Sequence, residues 1–153
     1  MAGTINTLLN NMYQTYANVF SSVGLMDIQR VSIQLVKQGM IQIPNDYIQF
    51  LEITDGLCWN GLELFGIREH ERKDCVFPSI QLLTYQGTQN LKSLFPKSLI
   101  LGFAPEQLIL YESAKKSYTI VDRYTYAPIV SLPRLADVLY FYWDAFSNLS
   151  EKA

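Results

Sequence analysis

Histidine is nearly missing from this sequence of 153 residues: His70 stands alone. It lies inside the mixed-sign run Arg68-Glu-His-Glu-Arg-Lys-Asp74, which reads as a solvated loop. Acyl-transfer triads and dyads need a base beside a nucleophile and held by a third group, and no Ser or Cys here has a nucleophile-elbow context. His70 is therefore expected at the surface. Cysteine is scarce too. Cys58 and Cys75 form no Cys-x-x-Cys pair and have no second histidine to join them, so a structural zinc site lacks ligands. They would pair only in an oxidising compartment, and they read as reduced structural thiols. The eight glycines are scattered. Neither a G-x-x-x-x-G-K-[ST] loop nor a G-x-G-x-x-G turn occurs, which disfavours nucleotide binding. No cofactor or metal is expected.

Charge is also sparse. Charged residues make up 17% of the chain and the formal net charge is −2, which leaves no basic field for nucleic acid. No apolar run approaches the roughly 18 residues that a membrane span needs. Met1-Ala-Gly-Thr-Ile-Asn has neither a charged nor a long apolar segment, so no signal peptide is expected. Gly3 is not placed for myristoylation. A cytoplasmic location is expected, and the Asn148-Leu-Ser150 sequon is then incidental.

What the chain has in quantity is apolar and aromatic surface: 49% hydrophobic residues, with ten Tyr, eight Phe and two Trp. That is enough to offset the entropy of ordering one domain spanning residues 1–153. Ile5, Leu8, Leu9, Met12, Tyr16, Val19 and Phe20 keep the spacing of an amphipathic helix, with Thr4 as N-cap and Gly24 as stop. A second helix is expected from about Asp27, burying Ile28, Val31 and Leu35 and ending at Gly39. A third starts at Pro44, with Tyr47, Phe50, Leu51 and Thr54 inside and Gly56 as left-handed terminator. Leu62 to Ile67 reads as a short strand, and Ser79 to about Phe95 as a weaker helix. Leu99–Phe103, Leu108–Tyr111 and Tyr118–Val121 are strand-like runs with short connectors, hence an antiparallel meander, and Ile129-Val130 adds a strand. A final helix, opened by Ser131 and Pro133, carries Leu135, Val138, Leu139, Tyr142, Phe146 and Leu149 on one stripe. Ala136, Tyr140 and Trp143 lie on a second. Helices, strands, then a helix without βαβ alternation predict an α+β fold. Its central sheet is mostly antiparallel, with about four to six strands, flanked by N-terminal and C-terminal helices.

Two residue classes are candidates for function. Carboxylates Asp46, Glu52, Asp55 and Glu63 cluster in or just after the third helix. Asp46 and Glu52 fall on different sides and make no obvious acid–base pair; Asp46 also suits the helix dipole. Trp59, in the Gly56–Gly61 turn, and Tyr140 and Trp143, off the main stripe of the last helix, either pack on the core or meet a partner. Tyr124 and Tyr126 are similarly placed in a polar connector.

Ile43-Pro-Asn-Asp-Tyr47, Phe50-Leu51, Asp55-Gly56, Leu62-Glu-Leu-Phe-Gly66 and the strand series Ile100-Leu-Gly102, Leu108–Tyr111, Tyr118–Asp122 and Ile129-Val-Ser131 together resemble the SUKH superfamily. That superfamily includes yeast cell-wall-assembly regulators and bacterial immunity proteins, and the chain looks most like its YrhA-type branch. The resemblance covers roughly residues 40–147; the N-terminal helix of residues 1–24 lies outside it. Ile43 replaces the family's usual Leu, and Asp55-Gly56 its Asn-Gly. The resemblance implies the same α+β fold and no shared catalytic residues. It further implies a non-enzymatic domain that binds and neutralises a cognate toxin, often a nuclease, with Asp46, Asp55, Trp59, Glu63, Tyr140 and Trp143 as partner contacts. The alternative is a regulatory or scaffold protein with an endogenous partner; a carboxylate-based enzyme is a third reading. The sequence leaves the oligomeric state open.

Overall fold

Thr4 opens the first helix, α1 (Ile5–Gln14), by accepting the Thr7 N–H at 3.1 Å. The computed structural model describes residues 4–15, 17–72, 75–77, 79–80, 95 and 97–152. Leu8, Leu9 and Met12 are the buried stripe of α1, as the periodicity predicts. The helix is shorter than expected. The Thr15 hydroxyl turns back onto the Asn11 and Met12 carbonyls, a side-chain bond that competes with continued helix. Asn18–Val19 then form a short strand, β1, against Cys58 and Leu57. Gly24, expected as the stop of α1, is the N-cap of α2 (Leu25–Lys37) instead.

Ile28, Ser32 and Leu35 bury the inner face of α2, and Val31 is half-buried. Gly39, at φ 85°, sits just past the end of α2, as expected. Pro44 caps α3 (Asn45–Ile53), which buries Tyr47, Phe50 and Leu51. Its end differs from the expectation: Thr54 is already extended and Gly56 begins a strand. The Thr54 hydroxyl donates to the Gly56 carbonyl at 2.6 Å and accepts the Phe20 N–H at 2.9 Å. The chain is thereby drawn from helix into sheet without a glycine terminator.

Strand β2 (Gly56–Trp59) and strand β3 (Leu62–Phe65) form a hairpin. Asn60 and Gly61 both have positive φ, 50° and 86°, the Asn-Gly geometry whose twist matches that of the paired strands. Trp59 is therefore a strand residue, not a turn residue. The charged run expected as a loop contains β4 (His70–Arg72), which pairs with β5 (Cys75–Phe77). The helix expected over Ser79 to about Phe95 lies outside the described residues apart from Ser79, Ile80 and Phe95, which are buried.

The meander is as predicted. Strands β6 (Ser98–Ala104), β7 (Gln107–Glu112), β8 (Ser117–Asp122) and β9 (Pro128–Leu132) pair antiparallel in sequence. With β1 and the first hairpin they make one seven-stranded sheet of order β1-β2-β3-β6-β7-β8-β9. Seven exceeds the expected number because β1 and β2 are drawn from segments read as helix and turn. The last helix, α4 (Leu135–Lys152), starts after Pro133, with Ser131 still in β9. Helices lie against one face of the sheet, where Leu64, Leu101, Ile109 and Ile120 meet Phe50, Leu135, Val138 and Tyr142. The alternation of strand side chains sends Ile100, Leu108, Leu110 and Val121 to the other face, with Phe95. This is an α+β fold with helices flanking an antiparallel sheet. Among the described residues no helix is long and apolar enough to cross a membrane.

Candidate protein-binding surface

The six residues singled out in the sequence do not converge on one place. Asp46, in the first turn of α3, is half-buried. Its carboxylate accepts the Tyr118 hydroxyl, and at 2.7 Å the N–H of Leu135. That N–H is one of the orphan donors at the start of α4. Asp46 therefore caps a helix 89 residues away in sequence. Burial first, and then the Asp46 charge, raise the Tyr118 phenol far above its ordinary value of 10.0. The same two causes, in the same order, raise the pKa of Tyr111. A depression of about 600 Å³ beside Asp46, Tyr111 and Lys116 opens between the ends of α3 and α4, but its one carboxylate is already engaged as a cap.

Asp55 is fully buried, which removes it from any exposed contact surface. Its Oδ1 accepts the Ile67 N–H at 2.7 Å; its Oδ2 accepts the Arg68 N–H at 3.2 Å and lies 2.8 Å from His70 Nε2. Gly66 makes room for it, since a Cβ there would fall 2.1 Å from Asp55 Oδ1. His70 is correspondingly not a free surface residue: its ring stacks on Phe20 with centroids 4.2 Å apart. The pair is a clamp joining the end of α3 to the turn before β4. Sequence reading missed it because Asp55 and His70 meet only once the β2–β3 hairpin is folded.

Trp59 is buried, which decides for core packing over the partner contact that the sequence also allowed. Its indole N–H donates to Thr15 Oγ1 at 2.9 Å, and its ring stacks on Trp143 at 5.3 Å and tilts against Phe146 at 5.8 Å. Trp143 and Tyr140 are partly buried and pack on the core, Trp143 against Trp59 of β2. Glu63 is half-buried on β3, between Cys58 and Phe103 of its neighbouring strands. Tyr124 is the exposed one of the connector tyrosines. Among the described residues no three His, Cys, Asp or Glu side chains gather as a metal site.

Exposed apolar surface collects elsewhere. Leu25, Met26, Ile33 and Val36 lie on the outer side of α2, and Met26 and Ile33 are 77% and 56% exposed. Between α2 and α3 runs a groove of about 570 Å³ whose walls include Ile33, Val36 and Ile48. On the other side of α3, Tyr13, Val19 and Ile53 rim a second depression of about 250 Å³. Apolar patches of this kind, rimmed by polar groups, mark contact sites. The signal was present in the sequence: Ile33 and Val36 are apolar yet off the buried stripe of α2.

No protein-family model matches this sequence, and no curated protein and no solved structure matches it either.

Proposed function

We propose that this chain is a non-enzymatic protein-binding domain of the cytoplasm, resembling SUKH-type immunity proteins, which binds and neutralises a cognate toxin. The observation that carries the binding reading is the concentration of exposed Leu25, Met26, Ile33 and Val36 beside the α2–α3 groove. Isolated surface apolar residues need no explanation, whereas a contiguous set along one helix does. The toxin class rests on the sequence resemblance alone. Asp46 and Asp55 act in this reading as architecture, one capping α4 and the other clamping the β4 turn, and Trp59 and Trp143 as core. The contact surface moves accordingly from those residues to α2 and α3.

Co-expression with the toxin encoded beside this chain tests the proposal. Restored growth and capture of the toxin in a pulldown are expected, both lost on Ile33→Glu. Unrestored growth with no toxin captured refutes the immunity role. Capture of an endogenous partner instead, dependent on Ile33, would support the scaffold alternative.

A further inference from the structure

We infer that the α2 surface takes an amphipathic helix of the partner protein, with an apolar seam and one acidic flank. This deepens the binding reading above and rests on it for the location of the site. Met26, Gln29, Ile33 and Val36 succeed one another at steps of three, four and three residues, the repeat by which one helix lies along another. All four are exposed, on a helix of 13 residues, about 20 Å long. The groove against α3 gives the seam a wall, through Ile48. A helix in such a groove is read by anchors at these intervals.

Charge selects the occupant. Arg30 follows Gln29 and Lys37 follows Val36, so both cations flank the seam on the same side. Asp27 lies 3.2 Å from Arg30 and 3.6 Å from Arg68, one carboxylate between two guanidinium groups. Lys37 stands beyond it at the last turn of α2. The flank is therefore net positive. A second copy of this chain does not satisfy it. Packed antiparallel, α2 would set Arg30 and Lys37 against the same two cations. Packed parallel, it would set them against Leu25 and Ser32, which bring no acid. An acidic flank on a different helix matches both. The exposed Glu52, one turn beyond Ile48 on α3, is an acid on the opposite side, so the partner's other flank is neutral or basic.

Two synthetic helical peptides sharing a Leu seam, one flanked by Glu and one by Lys, are the probes, titrated by fluorescence anisotropy against the full chain. The Glu-flanked peptide should bind at least about tenfold more tightly, with an affinity that falls as salt screens the flank. Ile33→Glu should weaken it by about tenfold or more. Arg30→Glu with Lys37→Glu should reverse the preference between peptides. Equal affinities, no binding, or indifference to Ile33→Glu overturn the inference. So does a dimer in sedimentation that Ile33→Glu dissociates, which would make a second copy the occupant. Growth protection separates the two levels. Protection that survives all of these substitutions refutes the α2 site and leaves the immunity role standing. Peptide binding without any toxin capture does the reverse.

Discussion

Replacing Asp55 by Ala should cost this protein far more than its small volume suggests. Its side chain is fully buried, accepts from the Ile67 and Arg68 N–H groups and shares a hydrogen bond with His70 Nε2. His70 keeps 20% of its side chain exposed, so its ring can turn toward water when the acceptor is lost. The two backbone donors cannot move without breaking the turn. Hydrogen bonds to a charged acceptor contribute about 1.5–3 kcal/mol each, and a buried donor left unpaired costs about 1–3 kcal/mol. Taken over the two backbone donors, the expected loss is about 3–5 kcal/mol. In urea unfolding followed by circular dichroism this lowers the midpoint by about 2 M, and it lowers Tm by about 10 °C. Asp55→Asn keeps an oxygen for Ile67 but sets an amide N–H against the second donor, so it should fall between wild type and Asp55→Ala. His70→Gln, which removes the imidazole but not the backbone bonds, should cost less than Asp55→Asn. An Asp55→Ala protein within about 1 kcal/mol of wild type would refute the clamp, because the donors would then have found other partners.

Asp46→Ala should destabilise by about 1–2 kcal/mol, through loss of the α4 cap and of the acceptor for Tyr118; urea unfolding measures it, and a cost near zero would show that water caps Leu135 equally well. Trp59→Ala should cost about 3–5 kcal/mol, since the ring fills the space between Trp143 and Phe146 and bonds Thr15; a neutral result in the same assay would mean the ring is not core. Alkaline titration gives a third test. Burial is the first cause raising the phenols of Tyr47, Tyr118 and Tyr142 above their ordinary 10.0. A phenol whose folded pKa is raised contributes stability that is fully present below its unfolded pKa and is lost as pH rises above it. Ultraviolet absorbance should show these three buried phenols ionising only on alkaline unfolding; their ionisation in a still-folded protein would contradict their burial. Ile33→Glu should leave stability within about 0.5 kcal/mol while abolishing partner capture, a separation that a buried structural residue does not give.

Helix faces were legible because burial follows period. Leu8, Leu9 and Met12 in α1, Tyr47, Phe50 and Leu51 in α3, and Val138, Leu139 and Tyr142 in α4 are buried where the 3.6-residue spacing puts them. The meander was legible for a similar reason, its short connectors leaving antiparallel pairing as the available arrangement. Element ends were not. Whether Thr15 stops a helix, or Thr54 passes the chain into β2, depends on partners far off in sequence, Trp59 for one and Phe20 for the other, which leave too little local signal. For Thr54 the Phe20 bond spans 34 residues, and for Thr15 the Trp59 bond spans 44. Asn60-Gly61 was a local signal of a hairpin that the glycine-terminator reading of Gly56 obscured.

Sequence by itself determined the α+β class, the buried stripe of each helix and the strands of the meander, because these follow from side-chain period and turn chemistry within a few residues. Tertiary structure decided what the notable side chains do. Asp46 looked like a first-turn acid and became a cap for α4; Asp55 looked like an exposed contact and became a buried clamp; Trp59, open in sequence between core and partner contact, became core. The same step left Met26, Ile33 and Val36 uncovered on α2. An acid's role is set by which donors reach it and an apolar residue's by what covers it, and both depend on elements brought together across the whole chain.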